Sequence, residues 1–238
     1  MISDVGGMDG VSGLDVELEY EGNKDGREKI TYPILLWLFL GGSVLGFILE
    51  GIWHMISWGG WASHSATVWG PFCIIYGIAA ALLYVLANFI CNKNLAMQFV
   101  ICAVTGSSLE YLASLFQEVC FGSTSWDYSY QPFNIGGRVS LKMTLLWGIL
   151  GVMFVRFAFP FLSSLLTKLQ GRGWNAFGIG STLFMIVNLI VTSVAVLRWG
   201  ERIDSEPASN MVEEIFDDVY DDDRMEEIFP NMNFGNKE

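Results

Sequence analysis

Charge is what the middle of this 238-residue chain lacks. Of its 25 acidic residues only four, Glu50, Glu110, Glu118 and Asp127, lie between Pro33 and Gly200. Eight precede residue 30 and thirteen follow residue 200, so the net charge of -12 belongs to the two ends. Basic residues are few and scattered, which leaves no electrostatic footprint for nucleic acid. Only two histidines occur, His54 and His64, too few to favour a histidine metal site. Four cysteines (Cys73, Cys91, Cys102, Cys120) fall in or beside apolar segments without a close pair. They are expected to be small buried apolar residues, not a disulfide framework or a metal cage. No metal or cofactor is expected. No Gly-x-x-x-x-Gly-Lys-Ser/Thr phosphate loop is present, so any ATP hydrolysis falls to another chain. No internal sequence repeat is visible.

What is present is apolar. Hydrophobic residues make up 52% of the chain, with 9 Trp and 17 Phe, and the mean hydropathy is +0.42. Apolar runs of about 20 residues are what a roughly 30 Å hydrocarbon core demands of a spanning helix. The reading is an all-α, polytopic transmembrane bundle of about five spans, near 33–54, 69–91, 95–117, 139–169 and 175–198. Three regions follow: an acidic, Gly-rich segment 1–32 expected to be disordered, a membrane domain 33–199, and an acidic tail 200–238. Residues 1–30 have no basic stretch leading into an apolar core, so no cleavable leader is expected there. Pro160 should kink the fourth span. In the tail, Val212, Ile215, Phe216, Val219 and Tyr220 keep helical spacing, which suits a short amphipathic helix on the protein or membrane surface. The alternative is a solvated acidic tail.

The chemistry concentrates between Ser107 and Trp147. On the first span Ser43, Gly46, Glu50 and His54 share one helical face, and on the third Ser107, Glu110, Ser114 and Gln117 do the same. Residues 118–140 are Gly-, Ser- and aromatic-rich, too broken for a span, and read as an interfacial or re-entrant loop covered by protein. With alternating spans, Glu50, Glu110, Glu118, Trp126, Asp127, Tyr128, Asn134 and Arg138 gather at one membrane face, and Arg156 stands apart. These eight are the candidate site. A carboxylate off-centre in a span needs a partner. Arg138 is the expected one, since its fork holds a carboxylate bidentately, and Lys142 is the second. Glu50 beside Glu110 would share a proton. The structural readings stand next to these. The stripes pack helices, Asp127 caps a turn, Arg156 meets a carbonyl freed by Pro160, and the histidines are interfacial hydrogen-bonders.

Ser43-Val-Leu-Gly-Phe-Ile-Leu-Glu50, Gly70-Pro71-Phe-Cys73 with Tyr76-Gly77, Ser108-Leu-Glu-Tyr111, Trp126-Asp-Tyr-Ser129, Phe133-Asn-Ile-Gly-Gly-Arg138 and Trp147-Gly148 together resemble one bacterial membrane family. It carries the label "putative ABC-transporter type IV", or CmpB-like. The likeness covers roughly residues 35–170 and the tail stretch from Met225 to Met232. The chain departs from it at His64-Ser65-Ala66, where the family has Asn-Arg-Gly, and at Ile74, where it has proline. The missing arginine removes one partner for the carboxylates. The resemblance implies a multi-pass permease of the bacterial cell membrane, with lipid contacts and a separate ATP-binding subunit.

Two other functions stay open on the residues. One is a membrane enzyme acting on a lipid or lipid-linked substrate at one face, with Asp127 and Asn134 in the broken loop and Arg138 for a phosphate. The other is a non-catalytic partner protein, or a homo-oligomer, whose polar cluster holds helices together. Six basic residues on the N-terminal side against four on the other favour a cytoplasmic N-terminus.

Overall fold

The computed structural model describes residues 30–166, 168, 169 and 171–235; the expected disorder of segment 1–32 therefore falls almost wholly outside the described residues. Helix α1 runs Tyr32–Trp58, α2 Ile74–Ile90 and α3 Leu95–Phe121. After a two-residue strand β1 (Ser123–Thr124), α4 (Leu141–Met153) continues through a π-turn (Phe154–Ala158) into α5 (Phe159–Leu166). The long α6 (Arg172–Ile203) precedes α7 (Met211–Val219), α8 (Asp222–Ile228) and strand β2 (Asn233–Phe234).

Four of these helical stretches are long and apolar enough to cross a membrane: Tyr32–Trp58, Leu95–Phe121, Leu141–Leu166 and Gly173–Ile203. No more than 28% of any such stretch is buried by protein, so most of its apolar surface is left for lipid. The fifth expected span, Ile74–Ile90, is apolar but has only 17 residues, about 26 Å of helix. It is short because Gly70-Pro71 does not open it; those residues lie in the preceding loop.

The helix ends follow from local chemistry. Asn94 and Ser140 precede α3 and α4, and each side-chain oxygen accepts a backbone N–H three residues on. Gly59 and Gly122 end α1 and α3 in the left-handed region, where only glycine is unstrained. At the expected kink the structure has the π-turn. Pro160 offers no N–H and its ring crowds the carbonyl four residues back, and the turn before it widens so that the Phe159 N–H reaches the Phe154 carbonyl.

The structure contains a repetition that the sequence reading lacks. A side-chain carbon on Gly42 would strike Ala80, and one on Gly151 would strike Cys102. Gly46 lies under the ring of Tyr76, and Gly106 under that of Trp147. Phe39 crowds Gly77, and Phe99 crowds Gly148. Each of these three contacts between α1 and α2 recurs between α3 and α4, sixty positions later on the first helix and seventy-one on the second. At that offset Phe39, Val44, Gly46, Leu49 and Glu50 match Phe99, Val104, Gly106, Leu109 and Glu110. Five identities among aliphatic neighbours are hard to see in a chain this apolar, and the unequal loops shift the second helices out of step. The two hairpins run in the same sense.

The loops closing these hairpins enter the bundle. In the first, the Val68 and Trp69 amides are taken by Thr192 (3.0 Å) and Asn188 (3.2 Å) of α6, and Asn188 donates back to the Trp69 carbonyl at 2.8 Å. Asn188 lies ten residues before Arg198, about 15 Å down the helix. Backbone at that depth is tolerated because side chains satisfy it.

The tail holds the expected short amphipathic helix as α7, lying on the protein surface, and adds α8 and β2. Tyr220, Met225 and Phe229 bury themselves against Val68, Ala195, Val196 and Trp199. Strand β2 pairs antiparallel with β1, Ser123 opposite Phe234, and Phe234 meets Trp199 edge-on at 5.0 Å. Of the expected apolar face, Phe216 and Tyr220 turn toward α6, whereas Val212, Ile215 and Val219 are exposed. Arg198, only 3% exposed, donates to both Asp217 oxygens, at 2.9 and 2.8 Å. Arg202 adds bonds to Asp217 and Asp222, each at 2.7 Å.

Candidate functional site

Two carboxylates are held by the same device. On α1, Gly46 removes the side chain that would fill the space of the Tyr76 ring, and the Tyr76 hydroxyl donates to Glu50 one turn further along. On α3, Gly106 seats the ring of Trp147, whose indole N–H donates to Glu110 at 3.1 Å. The loop after α3 sends Tyr128 down to the other Glu110 oxygen, at 3.0 Å. Glu110 is 6% exposed, whereas Glu50 is half-buried.

Tyr128, which bonds Glu110, also lies within electrostatic reach of Glu50. Burial pushes the Tyr128 phenol well above its ordinary range, and the Glu110 carboxylate and then Glu50 push in the same direction. The donors on Glu50 and Glu110 are neutral aromatic groups, Tyr76 on the first and Trp147 and Tyr128 on the second. Among the described residues, neither carboxylate has a basic partner in the observed ion pairs.

The expected partner is used elsewhere. Arg138 pairs with Glu118 and donates to Ser114 at 3.2 Å, with Tyr111 beneath its guanidinium at 5.8 Å. The reason is position: Glu118 is two turns beyond Glu110, about 12 Å nearer the end of α3, and Arg138 precedes α4 at that level. Lys142 is exposed.

Three further candidates shape the loop. Asp127 accepts the Ser129 backbone N–H and hydroxyl, both at 2.8 Å, which together hold its carboxyl below the usual range. Asn134 donates to the Ser129 and Gln131 carbonyls, at 3.1 and 2.8 Å, and accepts from Gly137. Trp126 donates to the Arg138 carbonyl at 3.0 Å. Gly137, at φ 70°, is in the left-handed region that favours glycine, and a side-chain carbon there would lie 2.5 Å from the Asp127 carboxylate and force it to shift. Their bonds aim Tyr128 inward; they do not line the carboxylate centre.

The structure brings together Glu50, Glu110 and Tyr128 from the sequence candidates and adds Tyr76 and Trp147. The signal for the added pair was present. Each belongs to an aromatic-Gly dipeptide on the helix after a Gly-x-x-x-Glu.

Arg156 does not meet a freed carbonyl. It donates from Nε to Gln98 at 2.9 Å, and Gln98, fully buried, donates to the carbonyls of Ile90 and Cys91 at 3.0 Å each. His54 and His64 bond the carbonyls of Gly60 (2.7 Å) and Ala62 (3.0 Å). Cys73 and Cys102 are buried as expected, but Cys120, on the last turn of α3, is exposed.

The model of the family described as "Putative ABC-transporter type IV" (ABC_trans_CmpB) matches residues 37–193. The chain belongs to this family. The match takes in both hairpins, their loops and most of α6, and it stops before α7 and α8. No curated protein and no solved structure matches the chain.

Proposed function

We propose that this chain is the permease-like, multi-pass subunit of a bacterial cell-membrane transporter, with ATP hydrolysis in a separate subunit. The observation that carries the reading is the duplicated Gly-x-x-x-Glu with its aromatic donor. Transporters built from repeats bind cargo where the repeats meet, and in this chain Tyr128, bonded to Glu110, also lies within electrostatic reach of the equivalent Glu50. Among the described residues both carboxylates hold only neutral donors and have no counter-charge, so the pair is suited to a cation, an amine or a proton. Membership in a family named for ABC transporters supports the same assignment. The sequence holds no Gly-x-x-x-x-Gly-Lys-Ser/Thr phosphate loop, which supports placing hydrolysis in a partner.

Affinity purification of the full chain in mild detergent, followed by a nucleotide-hydrolysis assay, tests this. An ATP-binding subunit at fixed stoichiometry, with hydrolysis that falls in Glu50→Gln and Glu110→Gln, is the expected result. A homo-oligomer without hydrolysis, whose Glu→Gln variants lose only thermal stability, would favour the cluster as structural glue. The lipid-enzyme reading loses its main support here, because Asp127 and Asn134 are occupied in shaping the loop.

A further inference from the structure

We propose that Arg156 anchors the phosphate of an anionic lipid headgroup, in the leaflet on the side of the chain's N-terminus. This site is separate from the carboxylate centre. Arg156 lies on the π-turn of a membrane-crossing helix, and its side chain is exposed. Its neighbour Phe157 is 75% exposed, as befits a surface that faces acyl chains. Among the described residues only Nε has a protein partner, the Gln98 oxygen at 2.9 Å. Gln98 is itself immobilised: fully buried, with its amide nitrogen spent on two carbonyls at the end of α2. The guanidinium is therefore aimed by a fixed group, and both terminal nitrogens are left over. That is the fork a phosphate takes bidentately.

The level is right for a headgroup. Gln98 sits one turn inside the start of α3, beside the last carbonyls of α2, and a long basic side chain reaches from there to the interface. Exposed Lys93, in the turn between α2 and α3, and exposed Lys168, just past α5, add positive charge on the same side. The four acids between Pro33 and Gly200 all stand toward the opposite face. Among the described residues nothing on this side neutralises Arg156, and basic sites between spanning helices recognise phosphate headgroups.

Native mass spectrometry of the full chain, with phosphatidylglycerol and phosphatidylcholine added in turn, tests the assignment. The wild type is expected to retain phosphatidylglycerol at least tenfold better, and Arg156→Gln should abolish that preference. Lys142→Gln, on the far face, should keep it, and millimolar inorganic phosphate should not displace the lipid. Equal retention of the two lipids by the wild type would overturn the proposal without any variant. So would a preference that survives Arg156→Gln. Displacement by inorganic phosphate would assign the site to a free anion instead. If the acidic segment 1–29 supplies the counter-ion, the wild type will show no preference, and a chain lacking that segment will gain one; that result too would overturn the assignment.

Discussion

At the level of single residues, the account turns on who holds each carboxylate. Glu50 and Glu110 are served by phenol and indole donors and not by Arg138, because Arg138 stands two turns away beside Glu118. Removing one such donor strands a half-buried or buried acceptor. Tyr76→Phe is expected to cost about 1–3 kcal/mol, readable as a lowered unfolding temperature in detergent. Tyr128→Phe should cost less, since Glu110 keeps the Trp147 indole. Equal losses in the two variants would contradict the observed division of donors. Asp217 gives a pH-dependent counterpart outside the membrane. Arg198, the first cause, holds its carboxyl below the ordinary range, and Arg202 adds to this. A depressed folded value means the stabilisation is present above the unfolded value of about 3.9. It is lost as pH falls through the lower folded value. Hydrogen exchange of the tail amides should therefore stay slow from neutral pH to about 4 and quicken below it.

At the level of elements, glycines decide where the aromatic donors sit. Gly46→Ala would push a methyl group into the Tyr76 ring, and Gly106→Ala would do the same to Trp147. Overpacking of this kind costs about 1–3 kcal/mol. Each variant should also perturb the donor on its own carboxylate alone, visible as a shift in Tyr or Trp fluorescence. If both variants keep wild-type stability and emission, the close packing described here is wrong. The tail is fastened by the buried arginine. Asp217→Ala leaves Arg198 with Glu201 and the Glu206 carbonyl, a loss of about 1.5–3 kcal/mol. Limited proteolysis between α6 and α7 should then cut faster than in the wild type.

Much of this was legible in the sequence, for physical reasons. Apolar runs such as Tyr32–Trp58 announce spans because bilayer thickness sets their length. The two polar stripes were correctly grouped because helical period fixes which residues share a face. The partner of each stripe was not legible, since facing positions on a second helix depend on loop lengths. For that reason the sequence does not reveal that Arg138 meets Glu118, nor that α2 begins only at Ile74, after loop 59–73 has entered the bundle. The repeat escaped notice because its common residues are mostly apolar, so they stand out only when the contacts at Gly46 and Gly106 are compared.

At the level of the whole molecule, two like hairpins each hold a like carboxylate, α6 secures the first hairpin's loop, and the tail ties that loop, α6 and β1 together on one face. The family match covers the hairpins and most of α6 and leaves out α7 and α8, so what the family shares lies in the membrane-crossing part of the chain. The most direct measurement is a double-mutant cycle with Glu50→Gln and Glu110→Gln, read as nucleotide hydrolysis by the co-purified complex. One site built from two halves predicts that either substitution removes most of the activity, and that the double variant loses little more than a single one. Independent losses that multiply in the double variant, or single variants with full activity, would contradict it.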